Sequence, residues 1–252
     1  MPLYLIGAGL GNIEDISIRA KSALQTCDAI YLESYTSLYG STAQEIAAYL
    51  NKPVRALGRS EIEANDFLLL EAKTKTIALL IIGDVFAATT HIELYQRALQ
   101  NKIPVTVLFN ASVLTAVGIT GLELYRFGKI ASIAFPAKGF FPKTAYETLR
   151  MNAQLGLHTL FLLDLKPDEN KAMSIAQAID LLFAIEAQEK EGLVMPTTLA
   201  VGCARLGTDN VIQCGALATL RDAAFGPAPH CLIIPGKLHF IEEEMLQYWR
   251  KE

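Results

Sequence analysis

Residues that mark disulfide-rich and metal-binding proteins are scarce in this sequence. Its 252 residues include four cysteines, four histidines and one tryptophan. No two cysteines form a C-x-x-C pair, and the histidines are too widely spaced for a recognisable metal motif. We therefore expect reduced thiols packed as small apolar side chains, no disulfide framework and no bound metal. The cysteines are Cys27, Cys203, Cys214 and Cys231.

Long apolar runs and strong charge are also absent. No apolar stretch approaches the roughly 20 residues that a bilayer-spanning helix requires, and the first residues lack the basic start and cleavage site of a signal peptide. The net charge of −4 offers no basic field to nucleic acid or to an anionic membrane. We therefore expect a cytoplasmic protein that binds neither. A hydrophobic content of 52% is enough for a compact core.

Strand-like and helix-like patterns alternate in the first half of the chain. Such alternation is typical of βαβ units around a mostly parallel sheet. The predicted strands cover residues 3–6, 29–32, 54–57, 76–82 and 105–108. The predicted helices cover residues 16–26, 41–50, 60–74 and 90–101. The fold class is therefore α/β, with a first α/β domain over residues 1–111.

The second half of the chain has a different pattern, with shorter connections between strands. We predict a mixed α/β domain over residues 112–252. Its predicted strands cover residues 130–135, 158–163, 198–204, 211–216 and 231–234. Its predicted helices cover residues 144–155, 174–191 and 241–250, and residues 136–142 are predicted to form an exposed loop.

The most informative segment is Gly83–His91, directly after the unbroken aliphatic run at residues 76–82. Such a run is typical of a strand buried on both faces of a parallel sheet, and ligands bind beyond the carboxyl ends of these strands. Asp84 is therefore a candidate to accept hydrogen bonds from a ligand, beside the small residues Ala87 and Ala88. The alternative is that Asp84 caps a helix spanning Phe86–Gln100.

The glycine-rich turn after the first predicted strand has two interpretations. Gly7, Gly9 and Gly11 let the backbone turn sharply and approach a ligand, and Glu33 after the second strand is placed as a ribose-binding acid would be. However, the spacing is G-x-G-x-G, and acids at residues 14 and 15 would repel a pyrophosphate. On this motif alone a plain strand-to-helix turn is about as favoured as a ligand loop.

Other polar residues near strand ends allow similar alternatives. Asn110 and Ser112 follow the strand at 105–108 and would line the same sheet edge, or else cap a helix. Tyr35–Ser37 after the second strand offers hydroxyls to the same edge, with turn formation as the default. His158 is expected to be a structural histidine. For His230, before the last predicted strand, ligand contact and structural hydrogen bonding are equally favoured.

Together, these segments resemble the diphthine synthase family, in the tetrapyrrole-methylase-like group of S-adenosylmethionine-dependent methyltransferases. The resemblance runs in order along nearly the whole chain. The matching segments in the first half are Leu3–Gly11, Tyr35–Ser37, Gly83–His91, Asn110–Ser112, Ala116–Gly118 and Tyr125–Gly128. Those in the second half are Gly156–Leu160, Leu163–Lys166, Ala204–Arg205, Phe225–Gly226, Pro229–His230 and Ile234–His239. The chain departs from the group at Val85, where proline is usual, and at Ala87, where a larger aliphatic residue is usual.

The resemblance implies two α/β domains of the tetrapyrrole methylase type, with S-adenosylmethionine in the cleft between them, usually in a homodimer. It implies methylation of an amine on the aminocarboxypropyl-modified histidine of translation elongation factor 2, in diphthamide biosynthesis. No metal is implied, and no catalytic base is assigned. Carried over position by position, the cofactor contacts are Leu10, Asp84, Ala87, Ser112, Val113, Leu163, Leu206 and His230.

Three alternative functions follow from the same residues. The nearest is a methyltransferase of this fold that acts on a precorrin-type tetrapyrrole. A nicotinamide-dependent oxidoreductase is a second, disfavoured by the G-x-G-x-G spacing and by the lack of an evident acid/base pair at a hydride site. A third is a binding module that keeps the fold without turnover.

Overall fold

The structure is a computed structural model that describes residues 2–137, 142–166 and 169–250. It divides into two compact units, Met1–Ala116 and Val117–Glu252. The boundary between functional domains predicted at residues 111 and 112 stays a prediction. Most of the loop predicted at residues 136–142 lies outside the described residues. No helix of the described residues has both the length and the apolar character needed to cross a bilayer.

The first unit is built around a five-stranded parallel sheet in the order β3-β2-β4-β1-β5. Its strands are β1 (Leu3–Gly7), β2 (Ala29–Glu33), β3 (Val54–Leu57), β4 (Ile77–Ile81) and β5 (Val105–Leu108). Its helices are α1 (Ile18–Thr26), α2 (Ala43–Leu50), α3 (Arg59–Glu63), α4 (Phe67–Ala72), α5 (Ile92–Gln100) and α6 (Val113–Ala116). The α/β class predicted from the alternation of patterns is confirmed.

Strand β4 is fully buried, as its aliphatic run predicts, because helices cover both faces of the sheet. Successive residues of the strand point to opposite faces. Leu79 therefore packs into one apolar cluster, with Leu3 and Leu5 of β1. Leu80 packs into the other, with Ile6 of β1. This two-sided burial fixes the sheet register and thereby the loops at its carboxyl edge.

The helix predicted over residues 60–74 is wrong in its continuity. The structure has two short helices there, α3 and α4, separated at Ala64–Asp66. The Asn65 side chain accepts a hydrogen bond of 3.2 Å from the Phe67 N–H. This bond forms a local turn directly before the first residue of α4. Local side-chain hydrogen bonding of this kind competes with a continuous helix, and apolar spacing alone does not register it.

The second unit contains a five-stranded sheet in the order β11-β10-β12-β7-β6, antiparallel except for the β6–β7 pair. Its strands are β6 (Ala131–Ile133), β7 (Thr159–Leu163), β8 (Leu165–Lys166), β9 (Lys171–Ala172), β10 (Leu199–Ala204), β11 (Val211–Ala216) and β12 (His230–Ile234). Strands β8 and β9 form a separate antiparallel pair. Its helices are α7 (Thr144–Gln154), α8 (Ile175–Glu189), α9 (Leu217–Arg221) and α10 (Phe240–Gln247).

Helix α8 packs its apolar face onto this sheet and is fixed at both ends. Ser174 caps the first turn in a capping box with Gln177. Near the other end, the buried Glu186 accepts hydrogen bonds from the Tyr146 hydroxyl at 2.8 Å and from the backbone N–H of Val194 at 2.8 Å. Burial alone would raise the pKa of Glu186, but these bonds hold the pKa below its usual 4.5.

Candidate active site

The loops that follow three neighbouring strands of the first unit lie against one another. Strands β4, β1 and β5 are adjacent and parallel, so their carboxyl ends share one edge of the sheet. Gly9 donates its N–H to the Gly83 carbonyl at 3.1 Å, and Gly83 donates to the Gly9 carbonyl at 2.9 Å. Their φ angles of +82° and +80° lie in the left-handed region, which favours glycine. The β1 and β4 loops are thus paired through glycine backbone.

The space around these glycines differs from one to the next. A Cβ added to Gly7 would lie 2.8 Å from both the Asn110 Cβ and the Gly83 carbonyl oxygen, so Gly7 serves close packing between loops. A Cβ added to Gly83 would meet only the Ala111 carbonyl oxygen, at 3.8 Å. Open space therefore adjoins Gly83, directly beside Asp84.

Asp84 joins the β4 loop to the β5 loop through its carboxylate. One oxygen accepts the Phe86 N–H at 3.2 Å, and the other accepts the Asn110 N–H at 3.0 Å. The alternative that Asp84 caps a helix spanning Phe86–Gln100 is wrong, because α5 begins only at Ile92. Turns occupy the intervening residues, and Ala88 has a φ of +57°, which no helix accommodates.

Asn110 connects the three loops, a role that the sequence analysis missed. Its amide nitrogen donates to the Gly7 carbonyl at 3.0 Å and to the Asp15 carbonyl at 3.1 Å. It therefore does not cap a helix. The cap of α6 is Ser112, whose hydroxyl oxygen accepts the Leu114 N–H at 3.2 Å. The signal for Asn110 was its place directly after a strand, but its partners are distant in sequence.

Asp15, which follows the glycine loop, and Glu33, at the end of β2, both have structural partners. These partners disfavour a dinucleotide site. The Asp15 carboxylate accepts the Gly11 N–H at 2.6 Å, so a carboxylate already occupies an amide that a pyrophosphate would need. Glu33 is completely buried and accepts the backbone N–H groups of Tyr35 and Thr36, each at 2.6 Å. Glu33 thus shapes the turn after β2 and is not placed to bind a ribose.

Five of the predicted cofactor contacts follow the adjacent strands β1, β4 and β5. They are Leu10, Asp84, Ala87, Ser112 and Val113. All except Ser112 are half-buried, and Ser112 is 6% exposed. They combine apolar surface with a carboxylate whose two oxygens retain lone pairs beyond the bonds described above. Apolar surface and a hydrogen-bond acceptor beside the open space at Gly83 fit an adenosyl group.

The other three predicted contacts belong to the second unit, where they share one end of its sheet. His230 pairs with Ala204 across β12 and β10, two residues before Leu206. Cys231 pairs with Leu162 across β12 and β7, which places Leu163 at the same end. The His230 Nε2 is 3.1 Å from the Gly226 carbonyl oxygen, so this histidine has a structural partner. Contact of these residues with a cofactor stays a prediction.

His158 is structural, as expected, and it belongs to a buried charged network around Glu242. The His158 Nε2 is 2.9 Å from one Glu242 oxygen, and its Nδ1 accepts the Gly236 N–H at 3.0 Å. Arg126 donates to the other Glu242 oxygen at 2.8 Å. Three of the segments in the resemblance, Tyr125–Gly128, Gly156–Leu160 and Ile234–His239, therefore meet in a structural network. Glu242 was not predicted as a site residue, although its place three residues after His239 in a capping box is a signal in the sequence.

His91, the last residue of the Gly83–His91 segment, is also buried, with 2% of its surface exposed. Its Nδ1 is hydrogen-bonded to the Thr89 hydroxyl, and its Nε2 has no hydrogen-bond partner among the described residues. Burial lowers the pKa of His91 to about 4, against a smaller opposing effect of Glu63. The imidazole is therefore neutral in the folded chain at neutral pH.

This buried imidazole predicts a loss of stability in mild acid. The unfolded chain binds a proton at His91 near pH 6.5 and the folded chain only near pH 4, so the free energy of unfolding falls as the pH drops between these values. Glutamine does not titrate in this range. Between the two pH values, the free energy of unfolding of His91→Gln should therefore fall by about 2 kcal/mol less than that of the wild type. Urea unfolding of both proteins from pH 7.5 to pH 4.5 measures it. Parallel pH curves for the two proteins would contradict the prediction.

Comparison with known proteins identifies the family. A family model described as Tetrapyrrole (Corrin/Porphyrin) Methylases matches residues 2–220. The chain belongs to this family. A diphthine synthase of Methanocaldococcus jannaschii is 40% identical over 251 residues, covering 98% of both chains. One of Methanosphaera stadtmanae is 37% identical over 247 residues, 97% of this chain and 94% of its own.

Solved structures give the same result for the tetrapyrrole methylase fold. A crystal structure of a diphthine synthase superposes with a TM-score of 0.90 at 34% identity, covering 99% of this chain and 96% of that one. The prediction of an S-adenosylmethionine-dependent methyltransferase is thereby confirmed. The described residues contain no group of three or more His, Cys, Asp or Glu side chains placed to hold a metal ion.

Proposed function

We propose that this chain is a diphthine synthase, which methylates the modified histidine of translation elongation factor 2 in diphthamide biosynthesis. The observation that carries the proposal is the likeness to diphthine synthases over nearly the whole chain, at 37–40% identity. This likeness extends beyond residue 220, where the match to the wider family ends. A single shared domain would support only the wider class of methyltransferase.

The cofactor site that we propose is the carboxyl edge of the first sheet, at the open space beside Gly83. Leu10, Ala87 and Val113 offer apolar surface to the adenosyl group, and Asp84 accepts hydrogen bonds from its polar groups. Leu163, Leu206 and His230 complete the predicted set. At Val85 the chain lacks the usual proline, but Val85 is fully buried in the core, which anchors this loop by packing.

S-Adenosylmethionine supplies a methyl group on a sulfonium, which is already a strong electrophile. The protein therefore needs to align an amine with that methyl carbon and to exclude water, and such positioning accounts for much of the acceleration in reactions of this type. The loops around Asp84 and Asn110 suit this role because hydrogen bonds between them hold their relative positions. The acceptor amine must lose its proton before attack, and we assign no catalytic base to that step.

Further proposals concern assembly and location. Translation elongation factor 2 is the proposed protein substrate, and we propose a homodimer in the cytoplasm. Direct binding of nucleic acid or membranes is not part of the proposed function.

Transfer of radiolabelled methyl groups tests the proposed function. The protein is incubated with labelled S-adenosylmethionine and with elongation factor 2 that carries the unmethylated aminocarboxypropyl histidine. We expect label on the factor, and none on a factor that lacks the modification. Label on a tetrapyrrole precursor with none on the factor would instead support the precorrin-type alternative. Calorimetry with NAD and with S-adenosylmethionine separates the oxidoreductase alternative.

A further inference from the structure

A second group of polar side chains lies on the segments that follow β2 and β4 and at the end of α3. It surrounds a small, partly open pocket whose enclosed volume is about 10 Å³. The enclosed part of this pocket has room for one water-sized group. The polar residues that line it include Tyr35, Glu63, Thr90 and His91. Tyr35 and His91 belong to segments that resemble the family, yet neither is among the predicted cofactor contacts.

His91 gives this pocket an unsatisfied polar atom. The side chain is almost fully buried and lines the pocket, and its Nε2 lacks a hydrogen-bond partner among the residues described. Buried polar atoms without a partner are rare, because each costs the free energy of its lost hydration. When Nδ1 donates to the Thr89 hydroxyl, Nε2 carries a lone pair, so the pocket contains an acceptor without a donor.

Glu63 adds a carboxylate whose position is set by its neighbours. One oxygen accepts hydrogen bonds from the Thr90 hydroxyl at 2.7 Å and the Tyr35 hydroxyl at 3.3 Å, and Arg59 lies 3.4 Å from the same oxygen. The other oxygen has no partner among the described residues. The side chain is 29% exposed, so a ligand can reach it from the mouth of the pocket.

The Tyr35 ring is held in place from the opposite direction. The buried Glu33 carboxylate binds the backbone N–H groups of Tyr35 and Thr36 and so fixes the turn that presents this ring. The ring lies 6.1 Å from the His91 imidazole, centre to centre, and the Arg59 guanidinium lies over it at 4.8 Å. Hydrogen bonds and ring contacts thus position the side chains that line the pocket.

We propose that this pocket binds the amino group of the methyl acceptor, with Glu63 and His91 as its hydrogen-bond acceptors. The inference rests on the proposed function, which requires an amine next to the cofactor. His91 ends the same sequence segment that begins with Gly83 and Asp84, so one β4 loop contributes both to the pocket and to the proposed cofactor edge. Glu63 and His91 are specificity-determining residues for the acceptor, and neither is assigned as the base.

The chemistry of the pocket selects an amine over other ligands. An anion would face the carboxylates of Glu63 and Glu93, both of which line the pocket. Arg97 also lines it, but its guanidinium is committed to the Asp66 carboxylate and to the Ile62 carbonyl, each at 2.8 Å. An apolar group would leave the His91 Nε2 without a partner. The amino or ammonium group of a primary amine is of about water size and donates the hydrogen bonds that the pocket lacks, while its carbon chain can lie in the open mouth.

Nitrogen NMR of the histidine side chains tests binding directly, with methylammonium chloride as the probe. The His91 signal is assigned by its loss in the His91→Gln variant. We expect a saturable shift of the His91 Nε2 resonance with methylammonium and none with sodium chloride at equal ionic strength. In Glu63→Gln, which keeps the shape of the side chain, the Kd should rise about tenfold or more. If methylammonium chloride and sodium chloride shift the His91 Nε2 resonance equally, the proposal is overturned. The pocket would then hold water and not the amine.

Kinetics with the factor as acceptor provide the second readout. We expect Glu63→Gln to raise the KM for the unmethylated factor about tenfold or more, with the Kd for S-adenosylmethionine unchanged. The control is Glu244→Gln, the same change at an exposed position of α10. An unchanged KM in Glu63→Gln, with an active wild type, would overturn the acceptor pocket and leave the proposed function standing. No transfer by the wild type would overturn the function, and the methylammonium titration would still decide the pocket.

Discussion

Replacing Asp84 with alanine is expected to weaken the binding of S-adenosylmethionine by about 10- to 100-fold. The variant loses the acceptor that we propose for the cofactor. It also loses the bonds from the Phe86 and Asn110 N–H groups, which tie the β4 loop to the β5 loop beside the open space at Gly83. Isothermal titration calorimetry measures the Kd, and thermal unfolding shows that the fold persists.

A matched control separates cofactor binding from loop support. Asp28 uses its carboxylate to accept the Thr76 N–H at 2.8 Å, at the opposite end of the sheet from Asp84. Asp28→Ala should lower the free energy of unfolding by about as much as Asp84→Ala does, and it should leave the Kd for S-adenosylmethionine unchanged. Asp84→Asn keeps one acceptor oxygen and should lie between wild type and alanine. If Asp84→Ala binds the cofactor as tightly as the wild type does, Asp84 serves only to shape the loops.

Much of the fold was predictable because buried apolar residues recur in the sequence at the period of the helix or strand that contains them. The run at residues 76–82 predicted a doubly buried strand, and β4 is one. Helix α8 was predicted from the amphipathic spacing of residues 174–191, and Ser174 caps its first turn. Strands β8 and β9 were missed because each has only two residues, too few to show any period.

The detail of the site was less predictable, because its hydrogen bonds join residues far apart in sequence. Asp84 was placed correctly after a strand, but its partner Asn110 is on the next strand's loop. A local interpretation offered helix capping as an alternative for both residues, but Asp84 and Asn110 join separate loops, and Ser112 is the residue that caps α6. Glu33 shows the same difficulty. Its spacing from the glycine loop suggested a ribose ligand, whereas its burial and its own turn explain the acid.

Glu242 is expected to contribute the largest single effect on the stability of the second unit. Its carboxylate is completely buried and receives hydrogen bonds from Arg126, His158 and the Glu123 N–H. The Glu242→Gln variant loses the charge that these groups stabilise and leaves donors without an acceptor. We expect the free energy of unfolding to fall by about 3 kcal/mol. Urea unfolding at pH 7 measures this, with the exposed Glu244→Gln as the control, for which little change is expected.

The same network predicts how stability changes with pH between pH 5 and pH 3. Burial alone would raise the pKa of Glu242, but the Glu123 and His239 N–H groups and His158 hold the pKa below its usual 4.5. A lowered carboxyl pKa stabilises the fold above the unfolded value, and this contribution is lost as the pH falls through the folded value. Wild type should therefore lose more stability than Glu242→Gln between pH 5 and pH 3. An equal loss in both proteins would mean that Glu242 carries no charge in the fold, and the network would then be held by neutral hydrogen bonds alone.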